Sequence, residues 1–434
     1  MIETTLLFCC FFLTFILVVL RNRLDLFLIL FLSTTIYHWQ ILYGQIWVPP
    51  YSFEVGAEAK IIVSIVYLSI CFGIFFNDRL LYNWFSFFKS NKFLDSKGEN
   101  HNHKDFESFL GYLFILTSTL VTVTFLYQAK LDLFTYGKTE LNAIYPLSAS
   151  FLLAFPAGIG LPWAIKNNKK LLIFLASICL LTYFLIGFRS IAVVAIISAL
   201  TAAYFKEKIL SKGNMKLAAI MFLVFSAFVI YKQVYIPIKE GENISDIFEQ
   251  KIEEDNRFSS LTEYLLWSAF SAEFGQISCN LDLVTKADLS EKHSLRSVLI
   301  GSIPLINNRD LNIYTETRFS DTILKYANPG FSYGLGGTFW GEVYVLGSYI
   351  GVLVASIIVI IMFITLNYFI FYRNNMLFLY MGSNIAFLIA KMDIYALIGI
   401  YKNMIILFSF GFITYLIYKT LINNLEYNLK KLKD

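Results

Sequence analysis

The stretch GEVYVLGSYIGVLVASIIVIIMFITLNYFIFY, residues 341 to 372, carries one charged side chain, Glu342, at its second position and none after it. A helix rising 1.5 Å per residue needs about 20 apolar residues to cross a hydrocarbon core of about 30 Å, so this run is long enough to span a bilayer. The rest of the chain agrees with it. Of 434 residues, 57% are hydrophobic and only 15% charged, well below the roughly 25% charged norm of soluble domains. With a mean hydropathy of +0.63, the chain reads as a polytopic, all-α membrane protein. The net charge of +4 does not point to nucleic acid, because the basic residues sit in short clusters between apolar runs and not on one face or tail.

Working outward from residues 341 to 370, the same length criterion gives ten more helices. They are expected at 4 to 20, 24 to 42, 59 to 77, 106 to 127, 145 to 165, 171 to 188, 190 to 205, 217 to 236, 376 to 390 and 403 to 418. Leu171 to Phe205 as one helix would be about 52 Å long, so two spans turning at Gly187-Phe188-Arg189-Ser190 are expected there. The N-terminus MIETTLL has an acidic residue and no Lys or Arg before its apolar run, while Arg21 and Arg23 follow it. That favours an uncleaved first span with its N-terminus outside. Alternation from that start puts 19 of the 35 Lys and Arg on cytoplasmic segments, as the positive-inside rule requires, and leaves the C-terminus inside.

One connection is not short. Residues 238 to 337 form an external loop with nine Lys or Arg against fifteen Asp or Glu, and loops of that length translocate regardless of charge. The chain therefore divides into spans one to eight (1 to 237), the large loop (238 to 337), and spans nine to eleven with a cytoplasmic tail (338 to 434). Ser260-Leu261-Thr262-Glu263 has a capping-box pattern followed by Leu265, Trp267, Phe270 and Phe274, so helices are expected in the loop. Cys9, Cys10, Cys71 and Cys179 fall in apolar segments and leave Cys279 without a partner in the loop. No CxxC spacing of a zinc site is present.

Candidate chemistry concentrates outside. Arg189 lies at an apolar turn with no charge partner in sequence, where an arginine either snorkels or faces a polar cavity. Arg257, Arg296, Arg309 and Arg318 in the loop could offer guanidinium forks to phosphoryl oxygens, Arg309 more than the others because it follows the apolar, Pro304-containing stretch from Ser297 to Ile306. Glu263 reads as a helix cap, His101 and His103 as solvated loop residues, and His293 as either an exposed histidine or a general base. Glu342 starts span nine between Trp340 and Tyr344, which suit an aromatic belt. It is either a helix-start acid facing the macrodipole or a general base. The glycines divide as well: Gly337 with Gly341, and Gly347 with Gly351, have the small-xxx-small spacing of packed helices. Gly330, Gly334 and Gly336 precede the helix and suit backbone bent around a ligand.

Gly334-Leu335-Gly336-Gly337, then Gly341-Glu342-x-Tyr344, then Leu346-Gly347-x-x-x-Gly351 resembles the segment leading out of the large periplasmic loop in O-antigen polymerases of the Wzy type. Gly341 stands where that family often has Ala, and Leu346 where it often has Phe. The layout is similar too, with about eleven spans, a late external loop, and an arginine after glycine at an outer turn. The resemblance implies a GT-C-like helical fold and an inverting, metal-independent glycosyltransferase needing no cofactor. It further implies undecaprenyl-pyrophosphate-linked glycans as donor and acceptor, membrane lipid as surroundings, and room for a chain-length regulator protein as partner. The expected location is the bacterial inner membrane, N-terminus periplasmic and C-terminus cytoplasmic. In that scheme Arg189 and Arg309, with Arg257 or Arg318, hold the pyrophosphate. Glu342 is base or positioning group, and Gly334, Gly336, Gly337 and Tyr344 shape the sugar groove. An O-antigen ligase and a lipid-linked oligosaccharide flippase or transporter remain as alternatives.

Overall fold

The computed structural model describes residues 2–48, 51–90, 97–136, 138–146, 151–204, 273–302, 318–327 and 337–431, with the single positions 216, 243, 246 and 249. The protein is mostly helical. Among the described residues, five helices are long and apolar enough to cross a membrane: Ile2–Arg21, Ala57–Arg79, Asp105–Ala129, Phe339–Phe371 and Ile394–Leu425. Four shorter apolar helices accompany them, at Leu26–Tyr37, Lys170–Ile186, Ser190–Ala203 and Leu377–Leu388. The eighth expected span, 217 to 236, lies outside the described residues, as do Glu263 and its capping box.

In chain order the elements are α1 (Ile2–Arg21), α2 (Leu26–Tyr37), α3 (Trp39–Tyr43), β1 (Gln45–Val48), β2 (Tyr51–Glu54), α4 (Ala57–Ser90), α5 (Lys97–Ala129), α6 (Asp132–Thr135), α7 (Lys138–Ile144), α8 (Phe155–Lys166), α9 (Lys170–Ile186) and α10 (Arg189–Ala203). There follow α11 (Glu273–Lys286), α12 (Leu295–Ser302), α13 (Phe319–Tyr326), α14 (Phe339–Asn367), α15 (Leu377–Leu388) and α16 (Ile394–Lys431). The expected break between α9 and α10 is present. Gly187 takes φ 109° and closes α9 with its N–H on the Phe184 and Tyr183 carbonyls, a left-handed cap that glycine adopts without a Cβ penalty.

Two other expectations change. The second span is interrupted at His38, which separates α2 from α3. The fifth begins as a short 3-10 turn at Phe151–Leu153, and α8 follows with Pro156 in its first turn, a position where the missing N–H costs nothing. The antiparallel hairpin β1–β2, with Gln45 opposite Glu54 and Val48 opposite Tyr51, was not expected from a segment read as a simple connection.

The chain gathers into two compact units. The first comprises Met1–Leu81, Tyr204–Tyr368 and Gly382–Gly399. Here α1 and α4 run in the same direction, since the Thr14 hydroxyl donates to the Tyr67 carbonyl and Arg21 reaches Asp78. Likewise α2 and α15 are parallel, with Leu26 against Gly382 and the Ser33 hydroxyl donating to the Phe387 carbonyl. One end of this unit is tied by polar side chains. Arg21 pairs with Asp25 (2.5 Å) and Asp78 (2.8 Å), Asp25 caps α2 through the N–H groups of Phe27 and Leu28, and Asn367 links the Leu26 N–H (3.4 Å) to Asn77 (3.3 Å).

The second unit comprises Tyr82–Ala203, Phe369–Met381 and Ile400–Asp434. Its helices approach closely where one of them lacks a side chain. Gly111 lies against the Trp163 ring, Gly160 against Ile115 and Gly158 against Tyr380, the close contact that small residues allow between membrane helices. In the same unit α5 and α16 run antiparallel, with Phe114 against Phe408 (5.6 Å) and Phe106 against Phe412 (6.0 Å).

Candidate functional site

The start of α14 is built to bring a carboxylate inward. Thr338 has extended backbone and its hydroxyl accepts the Gly341 N–H at 3.4 Å, a helix N-cap. This places Glu342 in the first turn, with a side chain that is 0% exposed. Its Oε1 is 2.7 Å from His293 Nε2, and its Oε2 accepts the Ile394 N–H at 2.5 Å. Ile394 is the first residue of α16, so the carboxylate faces the positive end of a 38-residue helix.

Asp393 completes the junction. It is 3% exposed, accepts the Ala396 N–H at 2.8 Å as a cap of α16, and receives the Ser320 N–H from the first turn of α13 at 3.4 Å. The neighbour that makes room for it is Gly337. A Cβ at that position would stand 2.7 Å from the Asp393 nitrogen and 2.9 Å from its Cβ, so only glycine lets the two chain segments meet.

His293 arrives from the segment between α11 and α12. Its imidazole is 0% exposed and lies 5.0 Å, centroid to centroid, from the ring of Phe319 in α13. Among the described residues its Nδ1 has no hydrogen-bond partner. The His293 N–H donates to the Leu289 carbonyl (3.2 Å) in the turn that follows α11, and α11 is itself anchored. In α11 the Ser278 hydroxyl donates to the Tyr37 carbonyl (3.0 Å), while Asp282 takes the Gly56 N–H (2.6 Å) and the Lys286 ammonium (2.5 Å). Lys286 also sits 5.3 Å from the Phe53 ring of β2. The hairpin and α11 are thereby clamped together. Burial in α11 pushes the Cys279 thiol up to about 12, which removes it as a thiolate nucleophile at ordinary pH.

The expected site residues meet different fates. Glu342, Gly337 and Tyr344 belong to the first unit, but the Tyr344 ring packs on Tyr349 (5.3 Å) and not on the carboxylate. Arg318 is exposed at the N-cap position of α13, with its guanidinium 5.8 Å from the ring of Tyr395. Arg189 opens α10 in the second unit. Arg257, Arg309, Gly334 and Gly336 lie outside the described residues. Asp393 and the Ile394 N–H were missed. An aspartate directly before an apolar helix is a capping signal that sequence could have supplied.

Two readings around Glu342 are corrected. Trp340 is 1% exposed, so it packs inside and does not join an interfacial belt. Gly347 and Gly351 are not a helix-packing seam. Gly347 (φ −158°, ψ 21°) and Ser348 (φ 52°, ψ −149°) interrupt the helical backbone, a Cβ at Gly347 would meet nothing within 4 Å among the described residues, and Gly351 accommodates the Val343 carbonyl of its own helix. Among the described residues no three His, Cys, Asp or Glu side chains converge on a metal-sized site.

A family model described as Putative O-antigen polymerase matches residues 4–240. No curated protein and no solved structure matches the chain.

Proposed function

The chain belongs to the O-antigen polymerase family, and from that premise we propose that it joins undecaprenyl-pyrophosphate-linked repeat units into a surface polysaccharide at the outer face of the bacterial inner membrane. The observation that carries the reading is the buried Glu342–His293 pair at the start of a membrane-spanning helix, in an integral membrane protein of that family. An acid–base pair suits the proton that a sugar hydroxyl must lose when it attacks. Pyrophosphate leaves without a metal if cations neutralise it, and arginine forks do so bidentately. In this proposal Arg189, Arg309, Arg257 and Arg318 are the candidate holders, and the transfer inverts the anomeric centre. Glycine backbone at Gly334, Gly336 and Gly337, with Tyr344, borders the sugars.

Eleven spans, a GT-C-like arrangement, a periplasmic N-terminus and a cytoplasmic C-terminus belong to the same proposal. Helix directions support the alternation. First and third spans run parallel through Thr14 and Tyr67, second and tenth through Leu26 and Gly382, and fourth and eleventh run antiparallel through Phe114 and Phe408. A chain-length regulator protein would act from outside this chain.

The test is complementation of a strain deleted for the gene. Deletion should leave single-repeat glycans on the cell surface, and Arg189→Ala or Glu342→Gln should fail to restore long chains at normal protein level. Loss of every attached glycan on deletion would instead indicate a ligase. Wild-type ladders from both variants would sink the assigned roles.

A further inference from the structure

The hydrogen bonds around Glu342 separate the two members of the pair by role. Its Oε2 accepts a backbone N–H from Ile394, and its Oε1 faces His293 Nε2 at 2.7 Å. A carboxylate accepts at both oxygens, so the proton between the side chains belongs to Nε2 and the imidazole lone pair is left on Nδ1. That lone pair is buried and has no partner among the described residues, an unfavourable state for an acceptor for as long as no donor arrives. Both carboxylate oxygens, in contrast, already have donors. The other charged groups at the junction are otherwise engaged: Asp393 caps α16 and binds the Ser320 N–H, and Arg318 lies exposed beside Tyr395.

We infer that His293, through Nδ1, is the catalytic base for the attacking sugar hydroxyl, and that Glu342 is a positioning residue which fixes the imidazole tautomer and orientation. The inference rests on the glycosyl-transfer reading above and deepens it. In the step, the acceptor oxygen forms a bond to the anomeric carbon of the donor as the bond from that carbon to the pyrophosphate oxygen breaks. The bonding pair leaves with the pyrophosphate, and the hydroxyl proton passes to Nδ1. The imidazolium so formed lies against the Glu342 carboxylate, which stabilises it in the way a buried carboxylate supports the histidine of a hydrolase triad. The proton then returns to water.

The experiment uses the full chain in lipid nanodiscs, supplied with lipid-linked oligosaccharide extracted from cells deleted for the gene. Chain growth, donor binding and thermal midpoint are read together for His293→Gln, His293→Ala and Glu342→Gln. Turnover of His293→Gln should fall by about 10²–10⁴, with donor binding within about threefold of wild type and an unchanged midpoint. Added imidazole should restore part of the turnover of His293→Ala but none to Glu342→Gln, whose imidazole is still present. Glu342→Gln should lower kcat and leave KM unchanged, because the amide's single oxygen can accept from Nε2 or from the Ile394 N–H but not from both, and it carries no charge to balance an imidazolium. His293→Gln turning over at the wild-type rate overturns the assignment. So does a loss that follows a lowered midpoint in all three variants with no imidazole recovery. Wild-type protein that extends no glycan overturns the polymerase reading itself, which keeps the two failures distinct.

Discussion

One methyl group decides the geometry at Gly337. An alanine Cβ there would meet the backbone nitrogen of Asp393 at 2.7 Å, and a backbone atom at the start of a long helix cannot swing aside as a flexible side chain could. Gly337→Ala should therefore cost about 1–3 kcal/mol as an overpacked contact, read as a lower thermal midpoint of the purified protein, together with loss of long glycans. An unchanged midpoint would count against the contact. The same scale explains what sequence could not reveal about His293. Forty-nine residues separate it from Glu342, and no local pattern distinguishes a histidine that will be buried against a carboxylate from one left in water. Glu342 itself stood out because it is the one charged side chain between Gly341 and Tyr372. Asp393 was overlooked although its capping position is a local signal.

Among the elements, α14 carries the sharpest contrast with its sequence. Four-residue glycine spacing is the pattern of helices in close contact, yet here it serves an interruption within one helix. Ser348 adopts φ 52°, ψ −149°, a region that non-glycine residues rarely occupy. The resulting bend turns the Val343 carbonyl onto Gly351, while Gly347 has no close neighbour among the described residues. Gly351→Ala should thus destabilise the protein by about 1–3 kcal/mol, whereas Gly347→Ala should change stability by only about 0.5 kcal/mol. Equal effects in denaturation of the two variants would restore the packing explanation. The five long apolar helices were readable because apolar composition over about 20 residues is a local property. The hairpin was not, since the contact that secures its exit, Gly56 to Asp282, lies 226 residues away.

For the whole molecule, the network of Arg21, Asp25, Asp78, Asn77 and Asn367 ties together α1, α2, α4 and α14 at one end of the first unit. Asp25 is 1% exposed, so removing its cation leaves a buried, uncompensated charge. Arg21→Ala is expected to cost about 3–5 kcal/mol, and Arg21→Lys to recover only part of this, because an ammonium cannot reproduce the fork that grips Asp78. Chemical denaturation of the three proteins in one lipid composition checks the order. Wild-type stability in Arg21→Ala would show that Asp25 and Asp78 find other partners. The network also sets a timetable for biogenesis. The Leu26 N–H waits for a side chain made 341 residues later, which at about 5–20 residues per second is roughly 20 to 70 seconds of translation. The first helices enter the membrane long before their permanent neighbours exist, and the unit that holds Glu342 closes only once Gly382–Gly399 has been made.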